Sequence, residues 1–437
     1  MTRRSLWLRF YIVLLVASLA VDAPIFGLPA LSVQSLPASL FIFLAGMLFP
    51  LSFRKEALQF VQQQKWLLSF ALAFCLVGLI SIALSSYPAL MGLKCLFSYG
   101  LYFSVALLLL FLFSLEKSLG LFFLKTIAAL GVILALISFG EVTHEQLYRF
   151  LADTFRNGEY QIVDGRFRAG ATLGHPNLFG CFMALAVFIF FHLKDEFALK
   201  ATLFYPAIGI LCAATALSGS RNAALVLILP LLLISLHRKT LKPAAIGLFL
   251  AIAAILFLSP GASRYADVVN LPAWQNNTSS HNDSSAPAQI NTAASRLDLW
   301  RAAASMFADH PAFGIGPGAY NGALKDYASK RLLTYDREKI EKGHLNAHNG
   351  FFNILAEFGL VGIIVVFISS LYCFLLFIGR AGLYPPGPAH ALLAAIFLSF
   401  MPDAFFYSPF YMVTTLTLVF LFTFGKSHRP SIVSDAS

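Results

Sequence analysis

Charged residues are scarce in this chain: Asp, Glu, Lys and Arg make up 12% of 437 residues, too few to clothe a soluble globule of that size. Apolar residues take their place, at 58% hydrophobic with a mean hydropathy of +0.76. Cysteine is sparse too. Cys75, Cys95, Cys181, Cys212 and Cys373 lie inside or at the ends of apolar runs, with no CxxC and no Cys/His ligand spacing, so neither a disulfide framework nor a zinc site is indicated. Alternation with a period of two is missing from the apolar runs, which disfavours an outer-membrane barrel. The P-loop pattern is missing as well.

What is present is a series of apolar runs, each long enough to cross the hydrocarbon core as a helix. About twelve spans are expected on that length criterion, near 6–21, 36–52, 66–85, 93–115, 121–140, 177–194, 200–218, 222–237, 242–260, 351–379, 388–402 and 408–424. The fold class is therefore an all-α polytopic membrane protein. It divides into an N-terminal bundle over 1–260, with a polar segment at 141–176, a large loop over 261–350 bearing amphipathic helices, and C-terminal spans with a short tail over 351–437. The first run follows Arg3 and Arg4, lacks a small-residue cleavage site and reads as a signal anchor.

The positive-inside rule orients these spans. Arg3/Arg4/Arg9, Arg54/Lys55/Lys65, Lys117/Lys125, Lys194/Lys200, Arg238/Lys239/Lys242, Arg380 and Lys426/Arg429 mark one side, while 22–36 and 402–408 on the other carry no Lys or Arg. Both termini are expected in the cytoplasm. The net charge of +10 is split between these topological anchors and a trans-side basic cluster, and no nucleic-acid partner is indicated.

Three trans-side segments depart from this poverty in basic residues: 141–176 with Arg149, Arg156, Arg166 and Arg168, the turn Ser218-Gly219-Ser220-Arg221-Asn222, and the loop 261–350. Long loops translocate whatever their charge, but the tight turn holding Arg221 does not fit that explanation. A charge at the membrane rim is costly and is usually paired or at work. The arginines of 141–176 either line a substrate groove or meet anionic headgroups.

Within the large loop, 274–291 is rich in Asn, Ser, Ala and Pro and reads as an insert with little to bury. From Ser295 the pattern becomes helical: Ser295 and Asp298 look like a capping box, and Leu297, Trp300, Ala304 and Phe307 recur at helical spacing. Arg296 and Trp300 share a face, so the guanidinium is braced on the indole or, alternatively, snorkels from an interfacial helix. Gly314-Ile315-Gly316-Pro317-Gly318 reads as a turn, with an anion-binding nest as the other option. Residues 141–157 should form a surface helix with Leu147, Phe150 and Leu151 on one face. Asn177 is placed to cap the following span, and His175 reads as structural. His348 and Asn349 stand just before the helix that begins near Phe351. Histidine titrates near neutrality, so His348 is either an interfacial hydrogen-bonder or a proton acceptor. Glu357 falls on the opposite face, roughly 13 Å deeper, and is expected to pair within the bundle. Asp403 lies at the trans-side end of its span, at a depth where it meets His348 or an arginine.

Taken together, His348-Asn349-x9-Gly359-x-x-Gly362, Ser220-Arg221, Ser295-Arg296, His310-Pro311 and Asn346-Ala347-His348 resemble the O-antigen ligase family of integral membrane glycosyltransferases. The likeness extends over most of the chain in topology, with its motifs in 166–362. Where the family has arginine followed after three residues by leucine, this chain has Arg296 and Trp300, which makes Arg301 the fallback for that arginine.

The resemblance implies a GT-C-like bundle of about twelve helices with a large periplasmic loop between the ninth and tenth, in a bacterial inner membrane. It also implies transfer of a glycan from undecaprenyl diphosphate to lipid A-core. A diphosphate leaving group needs charge stabilisation, a role for Arg221 and Arg296, whereas the acceptor hydroxyl needs a base, a role for His348 with Asp403 orienting it. Arg166, Arg168, Arg301 and Asn349 are candidate substrate contacts. Direct attack would invert the anomeric centre. The trans-side loops carry no Asp-x-Asp pair, so neither a metal nor another cofactor is expected. An O-antigen polymerase would use the same donor. A lipid-linked oligosaccharide flippase would instead place its charges along a midplane pathway, often on broken helices in repeated halves.

Overall fold

The computed structural model describes residues 3–21, 38–116, 118–156, 160–163, 165–197, 200–235, 241–260, 292–329, 340, 346–381, 388–400 and 408–424. Helices dominate. The N-terminal part contains α1 (Arg3–Ala20), α2 (Ala38–Gly46), α3 (Leu48–Ser52), α4 (Arg54–Gln63), α5 (Lys65–Leu84), α6 (Ala89–Leu115), α7 (Ser118–Thr143) and α8 (Glu145–Phe155). After a short hairpin of β1 (Ile162–Val163) and β2 (Arg166–Phe167) come α9 (Pro176–Phe197), α10 (Ala201–Leu217), α11 (Arg221–Ser235) and α12 (Leu241–Leu258). The remainder comprises α13 (Thr292–Asp309), α14 (Tyr320–Tyr327), α15 (Gly350–Ala381), α16 (Pro388–Phe400) and α17 (Pro409–Phe424).

Six of these are long and apolar enough to cross a membrane: α5, α6, α7, α9, α12 and α15. Five shorter apolar stretches lie in α2–α3, α10, α11, α16 and α17. Each expected span coincides with one of these or with α1, within a few residues. The span at 36–52 is broken at Met47, and the short amphipathic helix α4, with Phe60 buried, was not expected.

The centre of the bundle is α9, whose side chains from Phe179 to Ile189 are almost wholly enclosed by α7, α10, α11 and α16. In lipid, helices associate through close packing more than through expulsion of water, and small residues permit it. A Cβ added to Gly131 of α7 would lie 2.8 Å from the Ala186 Cβ, and one added to Gly180 would lie 2.7 Å from the Ala223 Cβ.

A second, smaller core stands apart. Leu299, Ala302, Ala303 and Met306 of α13 close on Ile315, Tyr320, Ala323 and Leu324 and on Ala347 and Ala356, fastening α13 and α14 to the first turns of α15. The capping-box reading of Ser295 gives way here, because α13 begins three residues earlier at Thr292 and Asp298 pairs with Arg301 at 3.2 Å. On α8 the buried face is Tyr148, Leu151 and Ala152, while Phe150 is exposed. The ring of Tyr148 stacks on Phe167 of the hairpin, and that contact chooses the face.

The two ends of the bundle are distinct. At one, Arg9 of α1 meets Glu116 and Ser118 between α6 and α7. At the other, the Thr172 hydroxyl donates to the Ala20 carbonyl at the end of α1, beside Glu141 in the last turn of α7. Since α6 and α7 are successive antiparallel crossings, the start of α6, the end of α7 and everything bonded to them share this second end.

Candidate functional site

The second end gathers most of the residues that the motifs single out. His348 has a left-handed backbone, φ 45°, which costs a non-glycine residue about 1–3 kcal/mol unless its surroundings hold it. Hydrogen bonds hold this stretch. The His348 N–H donates to Asn346 Oδ1 at 2.7 Å, the Phe352 N–H donates to Asn349 Oδ1 at 3.1 Å, and the Trp300 indole N–H donates to the Ala347 carbonyl at 2.9 Å. Asn349 is therefore the cap of α15, satisfying an amide that the helix leaves open. The Trp300 ring also stacks on Phe352, with centroids 5.4 Å apart and planes 15° from parallel. The His348 side chain remains half-exposed.

Below this loop, α15 is not continuous. Gly359 adopts φ 64°, ψ −161°, and the glycine turn after His310 enters the gap. The amides of Ile315 and Gly316 donate to the carbonyls of Ala356 and Glu357, and those of Leu360 and Val361 donate to Pro311 and Ala312. Gly314 has φ 70°, and a Cβ there would lie 2.6 Å from the Ala356 oxygen, while a Cβ at Gly359 would lie 2.6 Å from the Ala312 carbonyl. The turn reading of 314–318 holds; the amides of Ile315 and Gly316, needed for an anion nest, are already bonded. Ser81 and Ser85 of the α5 end donate to the carbonyls of Glu357 and Ile315. Glu357 is fully buried and its Oε1 accepts from the Tyr320 N–H at the start of α14, a partner in the smaller core rather than in the bundle. Burial pushes the Tyr320 phenol up, and its hydroxyl donates to the Leu299 carbonyl at 2.8 Å. The Gly359 and Gly362 part of the motif thus builds the scaffold beneath His348.

The arginines of 141–176 divide into two kinds. Arg149 makes an exposed pair with Glu145 one turn away, and Arg166 is exposed at the hairpin. Arg156 and Arg168 are built into the fold. The Arg156 guanidinium pairs with Glu141, with side chains 1% and 0% exposed, and lies 5.3 Å over the Tyr148 ring. The same carboxylate accepts from the amides of Gly170 and Ala171. Burial raises the Tyr148 phenol, whose hydroxyl donates to the Gln161 carbonyl.

Arg168 donates through Nε to the Ser218 carbonyl at 2.8 Å, and through its two terminal nitrogens to Gln161 Oε1 at 3.0 Å and Asn177 Oδ1 at 2.8 Å. It thereby clasps the turn that presents Arg221. Gly219 has φ 59° in that turn, and Ser220 caps α11 by accepting from the Ala223 N–H. Asn177 does not cap α9, since its oxygen is taken by Arg168. Instead Nδ1 of His175 accepts from the Asn177 N–H at 3.1 Å, with Pro176 in the first helical position.

The expected site residues therefore form two groups at one end of the bundle. Arg296, one turn before Trp300, and His348, one residue after Ala347, sit on elements tied by the Trp300–Ala347 hydrogen bond. Arg221 and Arg168 share the α10–α11 turn, where Asn222 reaches toward the Ser399 carbonyl at the end of α16. Arg301 is 78% exposed on α13 and pairs with Asp298. Asp403 lies outside the described residues. The sequence reading did not anticipate Trp300 as an anchor of the histidine loop, nor Glu141 as the counter-ion of Arg156. The signal for the second pair was a lone acid in the last turn of an otherwise apolar span. Among the described residues no group of three or more His, Cys, Asp or Glu side chains is arranged to hold a metal ion.

No curated protein matches the chain significantly. A family model does: the one described as O-antigen ligase matches residues 206–367, from α10 into α15. That segment contains Arg221, Arg296, Trp300, the glycine turn, His348 and the helix break, and it stops short of the Glu141–Arg156 pair and Arg168. In this multi-pass helical chain, the segment that holds the strained histidine, its tie to the arginine helix and the scaffold beneath them matches the O-antigen ligase family model, and that match points to a membrane glycosyltransferase-like enzyme.

Proposed function

We propose that the protein is an O-antigen ligase, transferring a glycan from undecaprenyl diphosphate to the lipid A-core oligosaccharide on the periplasmic face of a bacterial inner membrane. The observation that carries this reading is the hydrogen bond from Trp300 to Ala347, which joins the helix bearing Arg296 to the loop bearing His348. A cation for the leaving diphosphate and an imidazole for the acceptor hydroxyl are the two groups such a transfer needs.

In this reading Arg296 and Arg221 contact the donor diphosphate, and bidentate guanidinium contacts offset charge as the glycosidic bond breaks. His348 takes the proton of the acceptor hydroxyl as it attacks the anomeric carbon, and the configuration inverts. Asp403 orients the imidazole or an arginine. Arg166 and Arg301, exposed beside these elements, meet the glycan or the headgroup region, Arg168 supports the Arg221 turn, and Asn349 supports His348. No metal takes part.

The test uses purified protein in nanodiscs with undecaprenyl-diphosphate-linked glycan and lipid A-core, with and without EDTA. Joined lipid A-core product, unchanged by EDTA and absent with His348→Ala, is the expected result. Longer undecaprenyl-linked chains with untouched lipid A-core would make the protein a polymerase instead. Wild-type turnover by His348→Ala would remove the assignment of the base.

A further inference from the structure

A histidine with positive φ is held in place by whatever holds its neighbours, because the backbone alone relaxes toward the right-handed or extended regions. The bonds made by the Asn346 and Asn349 side chains are local, within the stretch itself. Another comes from outside, 47 residues back in the chain: Trp300 Nε1–H to the Ala347 carbonyl. The indole has a fixed orientation, stacked on Phe352 in the first turn of α15, and its own helix is packed through Leu299, Ala302 and Ala303 against Ala347 and Ala356. The donor is thus rigid, its acceptor is adjacent to His348, and Arg296 sits one helical turn away on the same face.

We propose that Trp300 is a positioning residue for the transfer reaction, fixing the distance between the arginine of α13 and the imidazole of His348 through its N–H. The inference rests on the functional reading above. Loss of the N–H frees the Ala347 peptide and lets the left-handed backbone at His348 relax, while the packing of α13 on α15 survives. Reaction rate suffers from such a shift more than binding does, since a displacement of about 1 Å at a reacting group can cost on the order of a hundredfold in rate.

The test compares wild type with Trp300→Phe, which keeps a ring against Phe352 and lacks the donor, in the nanodisc assay. Benzothienylalanine at position 300, which keeps the bicyclic shape without the N–H, serves if the smaller ring leaves a hole. The expected result is a kcat lower by roughly ten- to a hundredfold with KM for both substrates changed by less than about threefold. Acylation of His348 by diethyl pyrocarbonate, followed site by site with mass spectrometry, should also become faster. An unchanged kcat and an unchanged acylation rate in a variant lacking the N–H, with His348→Ala inactive, would overturn the positioning role and leave the functional reading standing. Activity retained by His348→Ala would sink that reading, whereas the acylation rate would still report whether Trp300 holds the loop.

Discussion

Two polar regions at the same end of the bundle are rich in arginine, and they use it differently. In 141–177 the guanidinium of Arg156 is sealed against Glu141, and Arg168 has its nitrogens on Ser218, Gln161 and Asn177. On α13, Arg301 is 78% exposed and Arg296 is half-exposed, on a helix whose aromatic anchor fixes the histidine loop. Charge at a membrane rim is costly in both, yet in the first region the fold itself is the partner. A rim arginine points to chemistry only after its nitrogens have been traced. By that criterion Arg156 and Arg168 are structural members, Arg168 bracing the turn before Arg221, and the family match, which begins at residue 206, leaves both of them outside.

The sharpest way to break the comparison is to remove one partner of the sealed pair. Glu141→Ala leaves Arg156 buried without its counter-ion and strips the Gly170 and Ala171 amides of their acceptor. A loss of about 3–5 kcal/mol is expected, read as a lower denaturant midpoint or a failure to accumulate in the membrane. Arg301→Ala, on the exposed side of the comparison, should change stability by less than about 0.5 kcal/mol. Equal effects from the two would mean that burial does not separate the two classes of arginine.

A smaller effect is expected in the scaffold under His348. Gly359→Ala forces a Cβ into the Ala312 backbone at a φ that L-residues avoid, and should cost about 2–3 kcal/mol, with loss of activity following from a displaced histidine loop. Gly379→Ala in the same helix meets nothing within 4 Å and should be neutral or stabilising by up to about 1 kcal/mol. If both tolerate alanine alike, the helix break is not a fixed feature and the second region loses its rigid base.

The helices and most of their ends could be read from the sequence, because long apolar runs leave the chain few choices. The histidine loop was legible as a motif, but its strain and its support were not. A positive φ at His348 and a bond from a residue 47 positions away are properties of the packed state. The glycines at 314 and 359 were visible as glycines, yet what they do depends on two distant segments meeting in one gap. The Glu141–Arg156 pair was hidden for the same reason: a carboxylate in an apolar span announces that it has a partner without saying which. Local patterns misled where tertiary contact chose otherwise, as with the face of α8, turned by Tyr148 stacking on Phe167, and the cap of α9, taken by His175 once Arg168 claimed Asn177.

A charge cluster at the opposite end of the bundle sharpens the comparison from the weak side. Glu116 accepts from the hydroxyls of Ser118 at 2.5 Å and Ser5 at 2.8 Å and from Arg9 at 3.5 Å. The Ser118 hydroxyl foremost, with Ser5 and Arg9 after it, holds this carboxyl below the usual carboxylate range. A depressed folded value means that the contribution is complete above the unfolded value of about 4.3 and is lost as pH falls through the folded one. The group is largely solvated, so the contribution should stay under about 1 kcal/mol. Stability measured between about pH 6 and pH 3 should therefore decline slightly more for wild type than for Glu116→Gln, which has no charge to lose. Parallel curves would show that these bonds contribute nothing measurable, and that at this end, unlike the sealed pair of Glu141 and Arg156, water serves the carboxylate as well as the protein does.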